Sequence, residues 1–363
     1  MLKILYISPE NTVGTLNLWK RIHKKNGNYC RTVTFFKSPK KFDEDICLNL
    51  PLNFTKPFLK NLRHNFYKMY RGKLGYHKEK NGYPPTYSPE GKLDKLFFKF
   101  KDKLNEKKIY SVIKKYDLMN YDIYHLESGI GFFKDSRIIK KLAKNGKKIV
   151  CHYHGEDLRT RGVIPEIDKI TNLNLTNEVD LLEKHPNINY LFLPFETKKY
   201  LAKTKLNKKL IISHAPTNRY YKGSNIIIPI CERIAKKHNI EFKLIENLPH
   251  SEAMKLKANN DIFIDQIGDK GGWGYGMNAV ESLSMGICTL TMMNEKYQKF
   301  IPDNPFVNVN EKTLESELER LITNQKLILQ KGKDGKSWVE KYHDVESVGK
   351  KLYEYYGELN KIF

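Results

Sequence analysis

Short apolar runs alternate with longer stretches in which apolar positions recur every three or four residues, and the alternation continues along most of the chain. Short runs bounded by turn residues read as buried strands, and the periodic stretches as amphipathic helices. The first set opens with a strand at Ile4–Ile7, a helix near Leu16–His23 and a strand at Thr32–Phe36. It continues with a strand at Ile123–Leu126, a helix at Ser136–Ala143, and strands at Lys148–Tyr153, Leu173–Thr176 and Tyr190–Pro194. After the polar stretch Leu206–Lys209 the pattern restarts with strands at Leu210–Ser213, Phe242–Ile245, Asp261–Asp265 and Cys288–Thr291. Helices near Ile226–Lys237, Ser251–Ala258 and Asn278–Met285 separate them. Two consecutive strand–helix sets predict two doubly wound α/β domains, with ligands at the carboxyl ends of the strands.

Two further stretches have helical spacing. Leu93, Leu96, Phe97, Phe100, Leu104, Val112 and Ile113 form a stripe with lysines filling the gaps. Such a stripe packs into a core or lies in a membrane interface, and core packing is the expectation. Trp338, Tyr342, Val345, Val348, Leu352 and Tyr355 predict one long C-terminal helix. Gly82–Pro89 is turn-rich and reads as a surface excursion.

Composition narrows the class. A chain of 363 residues exceeds one hydrophobic core, and 40% apolar residues exclude a disordered chain. No run approaches the roughly 18 apolar residues of a membrane span, and the N-terminus reads as a strand, not a leader. Five widely spaced cysteines without a C-x-x-C pair suit a reducing cytoplasm and argue against a structural zinc site. The net charge of +23 is unevenly shared: residues 1–150 hold 33 basic and 13 acidic residues, the remainder 31 and 28. Lysine-rich surfaces are common, but this asymmetry gives the first half an anionic partner: lipid headgroups, nucleic acid or an acidic glycan. Residues 56–115 concentrate it, with 17 basic residues, 5 acidic and 11 aromatic.

The candidate chemistry sits in loops after strands. Gly14 precedes the first helix alone, without the G-x-G-x-x-G dinucleotide pattern, so it admits a phosphate or sugar without indicating NAD. His152 and His154 share one face of a strand end; with no nearby third and fourth ligand they make a poor metal site, and a neutral His154 would hydrogen-bond a substrate hydroxyl. Arg219 and Lys222, beside a glycine before a helix, have the chemistry to clamp a diphosphate. Gly271-Gly272-Trp273-Gly274-Tyr275-Gly276-Met277 opens a helix carrying Glu281, a layout that lets backbone meet an anion and a carboxylate meet ribose hydroxyls. Gly335-Lys336-Ser337 lacks the earlier glycine of a P-loop, and Asp43-Glu44-Asp45 reads as a solvated acidic turn.

On HAPTNRYYKGSN, NNDIFIDQ, GWGYGMNAVESLSMGICTLT and WVEKYHDVESVGKKLYEYY, the chain resembles the retaining glycosyltransferase family 4 of GT-B fold. The resemblance implies two Rossmann-like domains facing a central cleft: an acceptor domain over 1–200 with a basic insertion at about 50–115, and a nucleotide-sugar domain over 201–337. A terminal helix over 338–363 would cross back to the first domain. It further implies that Glu281 holds the donor ribose, and that Arg219 and Lys222 stabilise the departing diphosphate. His154 or His152 would lie near the donor sugar, and Gly14 would admit donor or acceptor. The family pairs two glutamates; here the first falls on Trp273, and the Arg-to-Lys spacing is short.

The function so implied is retaining sugar transfer from a UDP- or GDP-sugar, with no obligatory metal, to a glycan or lipid-linked acceptor in cell-surface polysaccharide synthesis. The expected location is the cytoplasm or the inner face of its membrane, with an anionic membrane surface as partner through residues 56–115. Alternatives are a DNA-modifying glycosyltransferase, a nucleotide-sugar 2-epimerase, or a basic adaptor with a decayed site.

Overall fold

The computed structural model describes residues 1–38, 40–53 and 56–360; positions 54 and 55 of the expected insertion and 361–363 of the expected terminal helix lie outside it. The chain forms two compact units, one from Met1–Leu191 with the chain from Leu352 onward, the other from Phe192–Lys351.

The first unit is built on a seven-stranded sheet: β1 (Lys3–Ser8), β2 (Tyr29–Thr34), β3 (Ile46–Cys47), β4 (Ile123–Glu127), β5 (Lys148–Tyr153), β6 (Leu173–Thr176) and β7 (Ile188–Tyr190). Their order is β3-β2-β1-β4-β5-β6-β7, every pairing parallel. Helices α1 (Thr15–Lys25), α2 (Pro57–Arg71), α3 (Lys92–Lys115), α4 (Arg137–Lys144) and the single turn α5 (Pro165–Asp168) connect them. The central strands β1, β4 and β5 are buried on both faces, which is why their sequences run apolar instead of alternating.

The second unit has five parallel strands: β8 (Ile211–His214), β9 (Glu241–Leu244), β10 (Ile262–Ile264), β11 (Cys288–Thr291) and β12 (Val307–Asn308). Their order is β12-β11-β10-β8-β9. Its helices are α6 (Arg219–Lys222), α7 (Ser224–His238), α8 (His250–Ala258), α9 (Met277–Ser284), α10 (Glu295–Phe300), α11 (Leu314–Thr323) and α12 (Gln325–Tyr342), followed by α13 (Val345–Asn360). In each sheet the order reverses at one place, between β1 and β4 and between β8 and β10, and the loops leaving those strands border a crevice. Two doubly wound α/β units are what the strand–helix alternation predicts.

Two expectations need correction. The single terminal helix is two. Phe195 donates its N–H to the His343 carbonyl (2.8 Å) and accepts from Val345 N–H (3.1 Å), taking backbone groups that a continuous helix would use. Asp344 then starts α13, accepting from Glu346 N–H at 3.1 Å and from Thr197 Oγ1 at 2.8 Å.

The stripe on α3 faces the other way. Ile113 is buried and Val112 and Phe97 are half-buried, but Leu93, Leu96, Phe100 and Leu104 are exposed. The inner face instead holds Asp94, Asp102 and Asn105, with Ile109 and Ile113 only at the far end. Those carboxylates are satisfied: Asp94 accepts from Glu90 N–H and Asp102 from Lys134 N–H, both at 2.9 Å.

The turn Asp43-Glu44-Asp45 is exposed at Asp43 and Asp45, as expected, but it is also a tie. Glu44 accepts from Ser38 N–H at 2.9 Å, and Asp45 accepts from Thr32 N–H and pairs with Lys20.

Candidate functional site

In the second unit, the loops after β8 and β10 meet at the reversal of strand order. Asn218 caps α6, its side chain accepting from the N–H groups of Tyr220 and Tyr221 at 2.9 and 3.4 Å. This turn ends on Lys222, whose ammonium donates to Asp265 Oδ1 at 2.8 Å and Gln266 Oε1 at 2.9 Å. The other Asp265 oxygen accepts from Gly276 N–H at 2.9 Å, and Gln266 donates to the Gly272 carbonyl at 3.0 Å. One carboxylate and one amide thereby fix both the lysine and the glycine-rich loop. A Cβ on Gly276 would lie 3.4 Å from Lys222 Nζ, so the ammonium sits against the start of α9. Cation and helix N-terminus converge on one place, an arrangement suited to phosphate oxygens. The glycines are needed: Gly274 has φ +77°, and a Cβ there would lie 2.2 Å from the Tyr297 ring.

Glu281 lies one turn inside α9 and is buried. It accepts from His250 Nε2 at 2.8 Å and pairs with buried Lys257, which also donates to Asn278 Oδ1 at 2.5 Å. Asn278 in turn donates to the Ala215 carbonyl at 2.7 Å, tying α9 to the loop after β8. Burial pushes the Glu281 carboxyl upward, but the Lys257 charge and the His250 hydrogen bond outweigh it and hold its pKa at about 2.

The remaining expected ligands separate. Arg219 is exposed and makes a bidentate pair with Glu246 at 2.8 and 2.6 Å, away from the Lys222 contacts. The Tyr275 side chain packs against Phe306, Trp338 and His343 and donates to His343 Nε2 at 2.8 Å, so only its backbone belongs to the loop. Gly272 is buried, while Trp273 and Met277 are half-buried, and Lys296 lies over the Trp273 ring at 5.7 Å.

In the first unit, Gly14 starts α1 with φ +77° beside the Phe42 ring. His152 lies near the end of β5 and His154 just after it, and the parallel register sets Glu127 opposite His152. His154 Nε2 lies 2.5 Å from Glu127 Oε2 and Nδ1 lies 2.8 Å from Asn177 Oδ1. Burial disfavours the imidazolium, yet the Glu127 charge and hydrogen bond, with Asp157 and Asn177, raise its pKa to about 9. His154 is therefore a cation at neutral pH, where the sequence pointed to a neutral donor.

His152, tilted against the Trp19 ring at 6.1 Å, is pushed well below the ordinary range by burial and by His154. Glu127 supplies a third potential ligand, since one atom each of Glu127, His152 and His154 lie within 4.8 Å of one another. Glu127 Oε2 already meets His154 Nε2, an acid–imidazole pair. Sequence reasoning missed Glu127, Asn177, His250 and Lys257. For Glu127 there was a signal, a carboxylate ending an apolar strand.

No protein-family model matches the sequence, and no curated protein matches it. Solved structures do. HepE of Anabaena in complex with UDP superposes over 98% of this chain and 100% of its own, at 10% identity and TM-score 0.60. Sucrose-phosphate synthase from Thermosynechococcus elongatus covers 100% of both chains at 11% identity and TM-score 0.61. TarM of S. aureus, in complex with fondaparinux, alpha-GlcNAc-glycerol and UDP, covers 98% of this chain and 100% of its own, at 12% identity and TM-score 0.60. The chain has the GT-B glycosyltransferase fold. At these identities the likeness speaks for the architecture, and the chemistry rests on the residues above. Among the described residues no helix is long and apolar enough to cross a membrane.

Proposed function

We propose that the protein is a glycosyltransferase that moves a sugar from a nucleotide-diphosphate donor to a hydroxyl of a glycan or lipid-linked acceptor, with retention and without an obligatory metal. The observation that carries this reading is the Lys222 ammonium held by Asp265 and Gln266 against the N-terminus of α9. An ammonium has three donors, and the two fixed contacts leave one for a phosphate oxygen. Cation and backbone N–H groups together stabilise the charge that develops on a departing diphosphate, the role a divalent ion plays in other transferases. Glu281 keeps lone pairs on both oxygens beyond those used by His250 and Lys257, and these suit a ribose diol.

UDP is the favoured nucleotide, since HepE and TarM are described in complex with it. His154, as a cation near the end of β5, would place an acceptor or donor-sugar oxygen. Synthesis of a cell-surface polysaccharide in the cytoplasm is the setting we favour.

The test is calorimetric titration with UDP, GDP, ADP and CMP in the presence of EDTA. Micromolar binding of UDP that is at least about tenfold weaker in Lys222→Gln, the expected loss of a charge-assisted contact, supports the reading. Folded protein that binds none of the four overturns it.

A further inference from the structure

α2 and α3 lie side by side and antiparallel. A Cβ on Gly91 would lie 3.7 Å from Tyr70 Oη, Arg71 pairs with Glu90 at 2.6 Å, Asp94 acts on Tyr67, and Lys101 on Arg63. The pair is anchored to the first unit by Arg71 donating to the Thr160 carbonyl at 3.2 Å and by Val163 N–H donating to the Pro85 carbonyl at 2.7 Å.

Its outer face is apolar. On α3, Leu93, Leu96, Phe100 and Leu104 are 70%, 64%, 58% and 47% exposed. On α2, Phe58, Leu62 and Met69 are 78%, 57% and 77% exposed. With about 100° per residue, each stripe lies roughly 120° from the side turned to the neighbouring helix, and antiparallel packing brings both out on the same side of the pair. At about 100° per residue, exposed Lys103 borders the stripe of α3 with Lys99 further round, and exposed Lys68 stands to the side of that of α2.

We propose that this face is a docking surface for an anionic lipid bilayer. Seven large apolar side chains held in water gain free energy in any apolar environment. The surrounding lysines, within a segment of 17 basic and 5 acidic residues, select an apolar environment bounded by negative charge. A phosphodiester backbone would instead need cations at the crest, where this face has leucine, methionine and phenylalanine. The helices lie in the interface with their crests among the acyl chains. Because the inner face holds Asp94 and Asp102, each satisfied by a backbone N–H, the apolar stripe is presented permanently and needs no refolding.

The experiment uses the full chain in sedimentation with phosphatidylglycerol vesicles, phosphatidylcholine vesicles and, separately, duplex DNA at matched salt. The expected result is binding to phosphatidylglycerol over phosphatidylcholine, weakened by roughly tenfold or more in Leu96→Ser/Phe100→Ser. Thermal unfolding and UDP titration of that variant should match the parent, which separates this proposal from the donor-site reading. Vesicle binding that is unchanged in the double variant while Lys95→Gln/Lys99→Gln/Lys103→Gln abolishes it would show charge attraction alone and overturn the proposal. So would duplex DNA binding tighter than vesicle binding.

Discussion

Asp265 holds Lys222 with one carboxylate oxygen and the backbone N–H of Gly276 with the other, at 2.8 and 2.9 Å. The cation and the glycine-rich loop therefore move together, and neither can be displaced without the other. Asp265→Asn keeps the shape but loses a charge-assisted bond of about 1.5–3 kcal/mol. We expect UDP affinity to fall about tenfold or more, with far-ultraviolet circular dichroism unchanged; calorimetry reads the first and a parental affinity refutes the coupling.

Glu281 and Lys257 are a buried ion pair between α8 and α9. Removing one partner strands the other charge, at a cost of about 3–5 kcal/mol, whereas replacing both by apolar residues is often close to neutral. Glu281→Leu alone should lower the unfolding midpoint strongly. Lys257→Met/Glu281→Leu should recover most of it and still fail to bind UDP. Recovery of both stability and binding would assign Glu281 a purely structural part.

The His154–Glu127 pair makes a pH prediction. The folded imidazole has its pKa raised from an ordinary 6.5 to about 9. The stabilisation it brings is fully present below 6.5 and is lost as pH rises through about 9. If the cation positions a substrate oxygen, kcat/KM falls over the same interval, and His154→Gln should be slow at every pH with that limb gone. An unchanged alkaline limb in the variant would point to another group.

Gly274 tests the loop itself. With φ +77° and the Tyr297 ring in the way, Gly274→Ala should lose about 1–3 kcal/mol and widen the loop. Chemical denaturation measures the first and UDP titration the second. Gly27→Ala, also at positive φ but with open space around it, supplies the control for backbone strain alone.

Much of this was legible in advance, and what was not shares a physical cause. Strands such as Ile4–Ile7 and Lys148–Tyr153 announced themselves because a sheet covered on both faces demands unbroken apolar runs. The placement of Lys222, Glu281 and the glycine-rich loop around the start of α9 was legible because it is local: a turn, a helix start, a residue one turn in. The pairing of Glu127 was not, because His154 is 27 residues away and lies beside it only through the parallel register of β4 and β5. The direction of the α3 stripe was illegible for a related reason. Helical spacing says that two faces differ, not which one is inside, and Asp102 faces inward onto the backbone N–H of Lys134, 32 residues away. The break at His343-Asp344 likewise depends on Phe195, far away in sequence.

α3 answers to two different masters along its length. Ile109 and Ile113 are pinned among the strands of the first unit, so drift there is checked by the cost of a cavity. Leu93, Leu96, Phe100 and Leu104, being exposed, contribute little to the fold, so their identity is not fixed by packing. One end of the helix is therefore held by mechanics, while substitutions at the other are free of that constraint.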